Sequence, residues 1–176
     1  MVIFMAGMPF AGKSYVVDKL VDNLPDEVLV ITPKDYRPEE YDSMTEEQKK
    51  EINIAAWECT LELLKAKLKE SNNNEIIIYD TSCASYLTMY DYFQTAHDCG
   101  HKVIYAFVKT SIEKCKERSK NTMSNEIMDK YKEKFKDSIK GLSKMSDRFI
   151  IINNDEEPDV SVILREINEA RVYKHK

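Results

Sequence analysis

Val2-Ile3-Phe4-Met5-Ala6-Gly7-Met8-Pro9-Phe10-Ala11-Gly12-Lys13-Ser14-Tyr15 begins one residue into the chain and decides how the rest is read. An apolar run of strand character breaks into glycine, and Gly7 to Ser14 then spells a complete G-x-x-x-x-G-K-[ST] pattern. Gly7 lets the backbone leave a strand sharply, and Gly12 lets it approach a phosphate with no Cβ in the way. Such a loop offers a nest of N–H groups, backed by the positive end of a helix that starts near Lys13. In this pattern Lys13 reaches the β/γ-phosphates and the Ser14 hydroxyl holds Mg²⁺. Gly7, Pro9, Ala11, Gly12, Lys13, Ser14 and Tyr15 form the expected nucleotide-binding stretch. Val16, Val17, Leu20 and Val21 continue at helical spacing. Strand, loop and helix therefore follow in the order that separates a phosphate loop from an ordinary glycine turn.

The 176 residues fit one domain, 1–176, with enough chain to bury a sizeable core. With 43% hydrophobic and 32% charged residues, the composition is that of a soluble globular protein. No apolar run approaches a bilayer span, and the first apolar stretch is too short for a signal peptide, so no membrane partner and a cytoplasmic location are expected. Cys59, Cys83, Cys99 and Cys115 form no C-x-x-C pair, and only His97, His101 and His175 are at hand to join them. Reduced, mostly packed thiols are expected, with neither zinc nor a disulfide framework. The net charge of −5 argues against a broadly basic nucleic-acid coat. Charge is uneven, however. Lys109 to Lys140 holds ten Lys/Arg against six Asp/Glu, a local +4 that leaves −9 for the remainder. On that count alone a solvated helix face is the better account, with ATP or a polyanionic acceptor as the alternative partner.

Strand-like apolar runs recur at 2–6, 28–32, 76–79, 103–108 and 149–152, with helical periodicity between them. This alternation predicts an α/β fold, a parallel sheet covered on both faces. Ser43 with Glu46 makes a possible capping box. From there Ile52, Ala55, Ala56, Cys59, Leu63 and Leu68 predict a long second helix that ends at Ser71-Asn72-Asn73-Asn74. A third helix spans Tyr86 to Asp98, closed by Gly100. Ser111 can cap a fourth, and polar Ser119 to Asn125 interrupts before Ile127, Met128, Tyr131 and Phe135 resume the spacing. Such an interruption suits a mobile cover. The last helix follows Pro158 and includes Val162, Ile163 and Ile167.

Three further constellations carry chemistry. Ile76 to Tyr79 runs into Asp80-Thr81-Ser82, and a carboxylate at a strand end beside a phosphate loop supplies the hard oxygen that Mg²⁺ needs. Asp80 alone would read as a turn former; the loop upstream assigns it to the metal and acceptor region. After the second strand, Thr32-Pro33-Lys34-Asp35-Tyr36-Arg37 offers Asp35 to take a proton from an attacking hydroxyl and Arg37 to grip an acceptor phosphate. A surface turn with solvated charges is the alternative there. Among Lys114, Lys116, Arg118 and Lys120, Arg118 stands at the interruption and carries the planar donor fork that suits a transferring phosphoryl group.

With the phosphate loop, Asp35-Tyr36-Arg37, Asp80-Thr81-Ser82, the strand around His101 to Val108 and Lys116-Glu117-Arg118-Ser119-Lys120, the chain resembles the 5′-kinase domain of phage polynucleotide kinase. More broadly it resembles the small P-loop kinases that include zeta-type toxins and gluconate kinase. The resemblance implies a three-layer P-loop NTPase fold with a five-stranded parallel sheet of order 2-3-1-4-5. It also implies ATP with Mg²⁺ as donor, and a short helical lid, about 116–126, that supplies arginine. Asn154, after the last strand, falls where related kinases contact adenine. Two departures stand out. Lys34 occupies the place of the family's general base, so Asp35 must act from the next position; and Glu117 and Asn121 fall where the lid usually has arginines, with Arg118 between them. The expected function is transfer of the ATP γ-phosphate to a hydroxyl, foremost the 5′-hydroxyl of a nucleic acid. The rivals are a small-molecule kinase, with acceptor walls from Tyr36, Trp57 or Tyr86 under the second helix, and an inactive ATP-binding regulatory module.

Overall fold

Isoleucine, valine and phenylalanine runs with no polar alternation can be buried only between two layers of helices, and in a computed structural model of the chain the runs at 2–6, 76–79 and 103–108 lie there, whereas the 28–31 run is mostly half-buried and Ile151 of the last run is exposed. The structure describes residues 1–24, 28–70, 75–120 and 124–172. The strands are β1 (Val2–Ala6), β2 (Val28–Ile31), β3 (Ile76–Asp80), β4 (Val103–Lys109) and β5 (Arg148–Asn153). All neighbours are parallel, in the order β2-β3-β1-β4-β5 that the resemblance implied. β1 is central and wholly buried, Val2 pairing with Ile77 on one side and Val103 on the other.

The helices are α1 (Lys13–Val21), α2 (Glu46–Glu70), α3 (Tyr86–Asp98), α4 (Ile112–Arg118), α5 (Asn125–Met145) and α6 (Ser161–Val172). From β1 the chain steps past β3 to β2 and then reverses its direction across the sheet. Right-handed crossovers therefore put α1 on one face and α2, α3 and α5 on the other. Consistently, α3 packs against both α2 and α5. Phe4, stacked on Phe93 at 4.3 Å, ties β1 to α3. The reversal of strand order leaves a crevice beyond the C-terminal end of β1, the place where ligands gather in open α/β sheets.

Several local expectations change. The capping box of α2 is Thr45 with Gln48, each accepting from the other's backbone N–H (3.0 and 3.3 Å). Ser43 instead closes a 3-10 turn, its hydroxyl donating to the Glu40 carbonyl at 2.7 Å. On α2 the buried residues are Ala56, Thr60, Leu61, Leu64 and Leu68, while Ala55 and Cys59 face solvent. Thr60 shifts the face: its hydroxyl is satisfied by the Trp57 carbonyl at 2.8 Å, so a polar residue enters the core. Val21 and Ile127 are exposed at the margins of their helices. Ser111 takes the N-cap position of α4 without a side-chain cap bond. Of the cysteines only Cys83 and Cys115 are buried, Cys99 being half-buried and Cys59 exposed. Residues 71–74, residues 121–123 of the expected lid and His175 lie outside the described residues. Among the described residues no helix is long and apolar enough to cross a membrane.

Glu166 of α6 fastens the far side of the sheet. Its nearly buried carboxylate accepts from Lys102 Nζ at 2.8 Å and meets Arg148 Nε at 3.0 Å. The Lys102 hydrogen bond above all, with that from Arg148, holds its pKa below the ordinary 4.5. A carboxylate whose pKa is lowered by folding stabilises fully above its unfolded pKa and loses that contribution as pH falls through the folded value. Glu166→Gln is therefore expected to lower Tm at pH 7 and to melt increasingly like the parent as the pH drops below 4.5. Thermal melts of both proteins across pH 3 to 7 check this, and a constant Tm gap would refute it.

Candidate active site

Backbone geometry makes the site before any side chain does. Gly7 leaves β1 at φ 147° and Gly12 enters α1 at φ 83°, both outside the range that L residues favour. A Cβ on Gly7 would stand 2.6 Å from the Val108 carbonyl oxygen, and one on Gly12 would stand 2.3 Å from Asn154 Nδ2. Gly12 is therefore required by a protein neighbour as well as by any phosphate.

Lys13 curls back over the loop, its ammonium donating to the carbonyls of Gly7 (3.0 Å) and Met8 (2.9 Å). Desolvation lowers its pKa, and the Asp80 carboxylate opposes the shift. The next residue, Ser14, donates its hydroxyl to Asp80 Oδ2 at 2.7 Å. Asp80 is buried at the end of β3, so two hard oxygens from different elements meet beside the lysine. This donor set suits Mg²⁺, which takes one or two protein oxygens and completes its shell with phosphates and water. Among the described residues no cluster of three or more His, Cys, Asp or Glu could hold a metal without such help.

A third side chain joins this pair. Lys34 Nζ donates to Ser14 Oγ at 2.5 Å. Lys34 sits in the 3-10 turn Pro33–Tyr36, whose entry is fixed by the Thr32 side chain accepting from the Lys34 N–H. Its neighbour Asp35 is exposed, and its carboxylate has no hydrogen bond or ion pair to a described residue. Arg37 is also exposed, with its guanidinium 4.6 Å over the Tyr41 ring and Nε donating to Asn53 Oδ1 of α2 at 3.2 Å. Its remaining guanidinium N–H groups make no hydrogen bond to a described residue.

On the other flank three donors converge on one carbonyl. Ala11 O accepts from Thr110 Oγ1 (2.8 Å), Arg118 Nη1 (3.1 Å) and Asn154 Nδ2 (2.7 Å). Arg118 Nη2 also donates to the Asn154 carbonyl at 2.9 Å. Arg118 and Asn154 thus brace the phosphate loop from behind, and Thr110, for which no motif gave a signal, completes the brace. Tyr15 is exposed at the start of α1, where its hydroxyl donates to Glu157 and Lys19 pairs with the same carboxylate. Tyr86 does not face α2: its ring lies against Gly141 of α5. On α5, Lys130, Lys132 and Lys136 are each paired one turn away with Glu126, Asp129 and Glu133, which makes that part of the basic segment a self-neutralised helix surface.

The Zeta toxin family model matches residues 1–175. No curated protein sequence matches the chain significantly. Among solved structures, a chain of the PezAT chromosomal toxin–antitoxin system of Streptococcus pneumoniae is similar, with TM-score 0.68 and 13% identity, over 95% of this chain and 76% of that one. A candidate kinase of Chloroflexus aurantiacus superposes with TM-score 0.64 at 12% identity, over 96% and 93% of the two chains. Kti12 of Chaetomium thermophilum, in complex with ADP-AlF3, gives TM-score 0.55 at 13% identity, over 96% of each chain. At such identities these structures establish the shared fold.

Proposed function

The chain belongs to the Zeta toxin family, and from that premise we propose that it is an ATP-dependent phosphotransferase that moves the γ-phosphoryl group to a hydroxyl next to a phosphate, as at the 5′ end of a nucleic acid. The observation that carries the proposal is the meeting of Lys13, Ser14 and Asp80 at an intact phosphate loop beyond β1. The loop amides and Lys13 would hold the β- and γ-phosphates, while Ser14 and Asp80 would hold Mg²⁺. When bound with the triphosphate, that ion neutralises charge on the phosphate oxygens. Asp35 would accept the acceptor's hydroxyl proton as the oxygen bonds to the γ-phosphorus and the bond to the β–γ bridging oxygen breaks, releasing ADP. Arg37, steadied by Tyr41 and Asn53, would grip the acceptor phosphate. Arg118 would reach the phosphoryl group with donors not already spent on the Ala11 and Asn154 carbonyls.

A second reading, a small acceptor such as a nucleoside, sugar or antibiotic, is favoured by the pairing of Lys130, Lys132 and Lys136 within α5, which leaves these three lysines already engaged and less available to a polymer. Labelled ATP offered with 5′-hydroxyl oligonucleotides, nucleotides, nucleosides and sugars tests both. Acceptor binding that weakens steeply with salt selects the nucleic acid, and insensitivity selects the small acceptor. ATP binding without transfer to any of them would mark an inactive module and end the kinase proposal. Asp35→Asn is expected to cut transfer about a hundredfold while nucleotide affinity measured by calorimetry stays within twofold; transfer at the parent rate would remove Asp35 from the mechanism.

A further inference from the structure

The Ser14–Asp80 pair, which a divalent ion would share, already has a cation on it. Lys34 Nζ donates to Ser14 Oγ at 2.5 Å, and that oxygen in turn donates to Asp80 Oδ2 at 2.7 Å. The ammonium takes one of the two lone pairs of that hydroxyl, and its positive charge beside the other opposes a second cation at the same oxygen. Lys34 also stands on a firm support. Pro33 fixes the backbone before it, the Thr32 hydroxyl accepts its N–H at 3.4 Å, and the 3-10 turn packs against α2. The exposed stem thus spans from the end of β2 to the start of α1. Its charge is near enough to depress the pKa of Lys13, behind the larger effect of desolvation.

We propose that Lys34 is a tethered cation of the phosphate site, standing on Ser14 where a divalent ion would otherwise bind, so that the chain holds nucleotide phosphates with reduced dependence on metal. The inference rests on the phosphotransfer reading of the same site and deepens it. An ammonium hydrogen-bonded to a phosphate oxygen supplies part of the charge neutralisation that the ion provides. A divalent ion on Ser14 would take over the neutralisation that Lys34 supplies and would have to displace it, which lowers the affinity for the ion.

Calorimetry with ADP, in EDTA and in Mg²⁺, tests this on the full chain, with Mn²⁺ binding to the ADP complex followed by electron paramagnetic resonance. In Lys34→Gln, ADP affinity in EDTA should fall about tenfold while affinity in Mg²⁺ changes less than about twofold, and Mn²⁺ should bind more tightly than in the parent. Lys34→Arg keeps the charge and should keep the metal-free affinity, which separates loss of the cation from any disturbance of the turn. Equal losses with and without metal in Lys34→Gln, or no loss in either, would overturn the proposal while leaving the kinase reading in place. A parent protein that binds ADP under neither condition would end both.

Discussion

Lys13→Ala is expected to reduce phosphoryl transfer by about a thousandfold, a loss of about 4 kcal/mol of transition-state stabilisation. The size follows from where the ammonium sits. It is desolvated among the carbonyls of the loop proposed to hold the phosphates, so its charge would act where water screens it least. The folded state bears a cost for that placement, because desolvation disfavours the charged form. Removing the ammonium relieves the cost, and the Tm of the variant should match or exceed that of the parent. The pairing of a large loss of transfer with an undiminished melt is the signature of a residue kept for chemistry. It is checked by kcat/KM with labelled ATP beside a thermal melt. Transfer within tenfold of the parent would show that the loop amides suffice, and a collapse in Tm would show that Lys13 holds the loop together.

Much of this site was legible because its parts are local in sequence. The motif compresses strand exit, glycine turn, lysine and hydroxyl into Gly7 to Ser14, and each strand buried on both faces announces itself as an unbroken apolar run. The contacts that escaped are long-range. Nothing in the spacing of Thr110, Arg118 and Asn154 indicates that all three donate to the Ala11 carbonyl, across 99 to 143 residues. Lys34 stands in the sequence beside Asp35 with no motif to give it a partner, and its hydrogen bond to Ser14 depends on the length and direction of a stem that no motif encodes. At α2 two capping boxes overlap, Ser43 with Glu46 and Thr45 with Gln48. Local pattern fits both, and the 3-10 turn that consumes the Ser43 hydroxyl decides between them.

The bracing of Arg118 is compatible with the transfer role proposed for it. Two of its N–H groups are committed to the Ala11 and Asn154 carbonyls, which ties the end of α4 to the loop and to the end of β5. A guanidinium has five donors. A side chain anchored in this way is already positioned by the loop whose phosphates it would meet, so less side-chain freedom is lost when the substrate arrives.

Gly7→Ala is expected to destabilise the fold by about 3 kcal/mol, more than any surface substitution on the chain. The added Cβ would lie 2.6 Å from the Val108 carbonyl oxygen, at a φ of 147° that L residues rarely adopt. Val108 pairs with Ile152 of β5, one residue beyond the last pair of β4 with β1, Ala6 with Phe107, so its carbonyl is strand backbone and cannot withdraw without shifting that end of β4. Gly141→Ala provides the contrast. Its Cβ would meet the Tyr86 ring at 2.2 Å, a closer approach on paper, but the obstacle is a side chain at the border of an open groove and can rotate away. Alanine also gains about 1 kcal/mol of helix propensity over glycine inside α5. Urea unfolding of the two variants separates the cases. A large fall in midpoint for Gly7→Ala with a small change for Gly141→Ala is the expected result, and a loss below about 1 kcal/mol at Gly7 would mean that the turn leaving β1 can reshape itself around a methyl group.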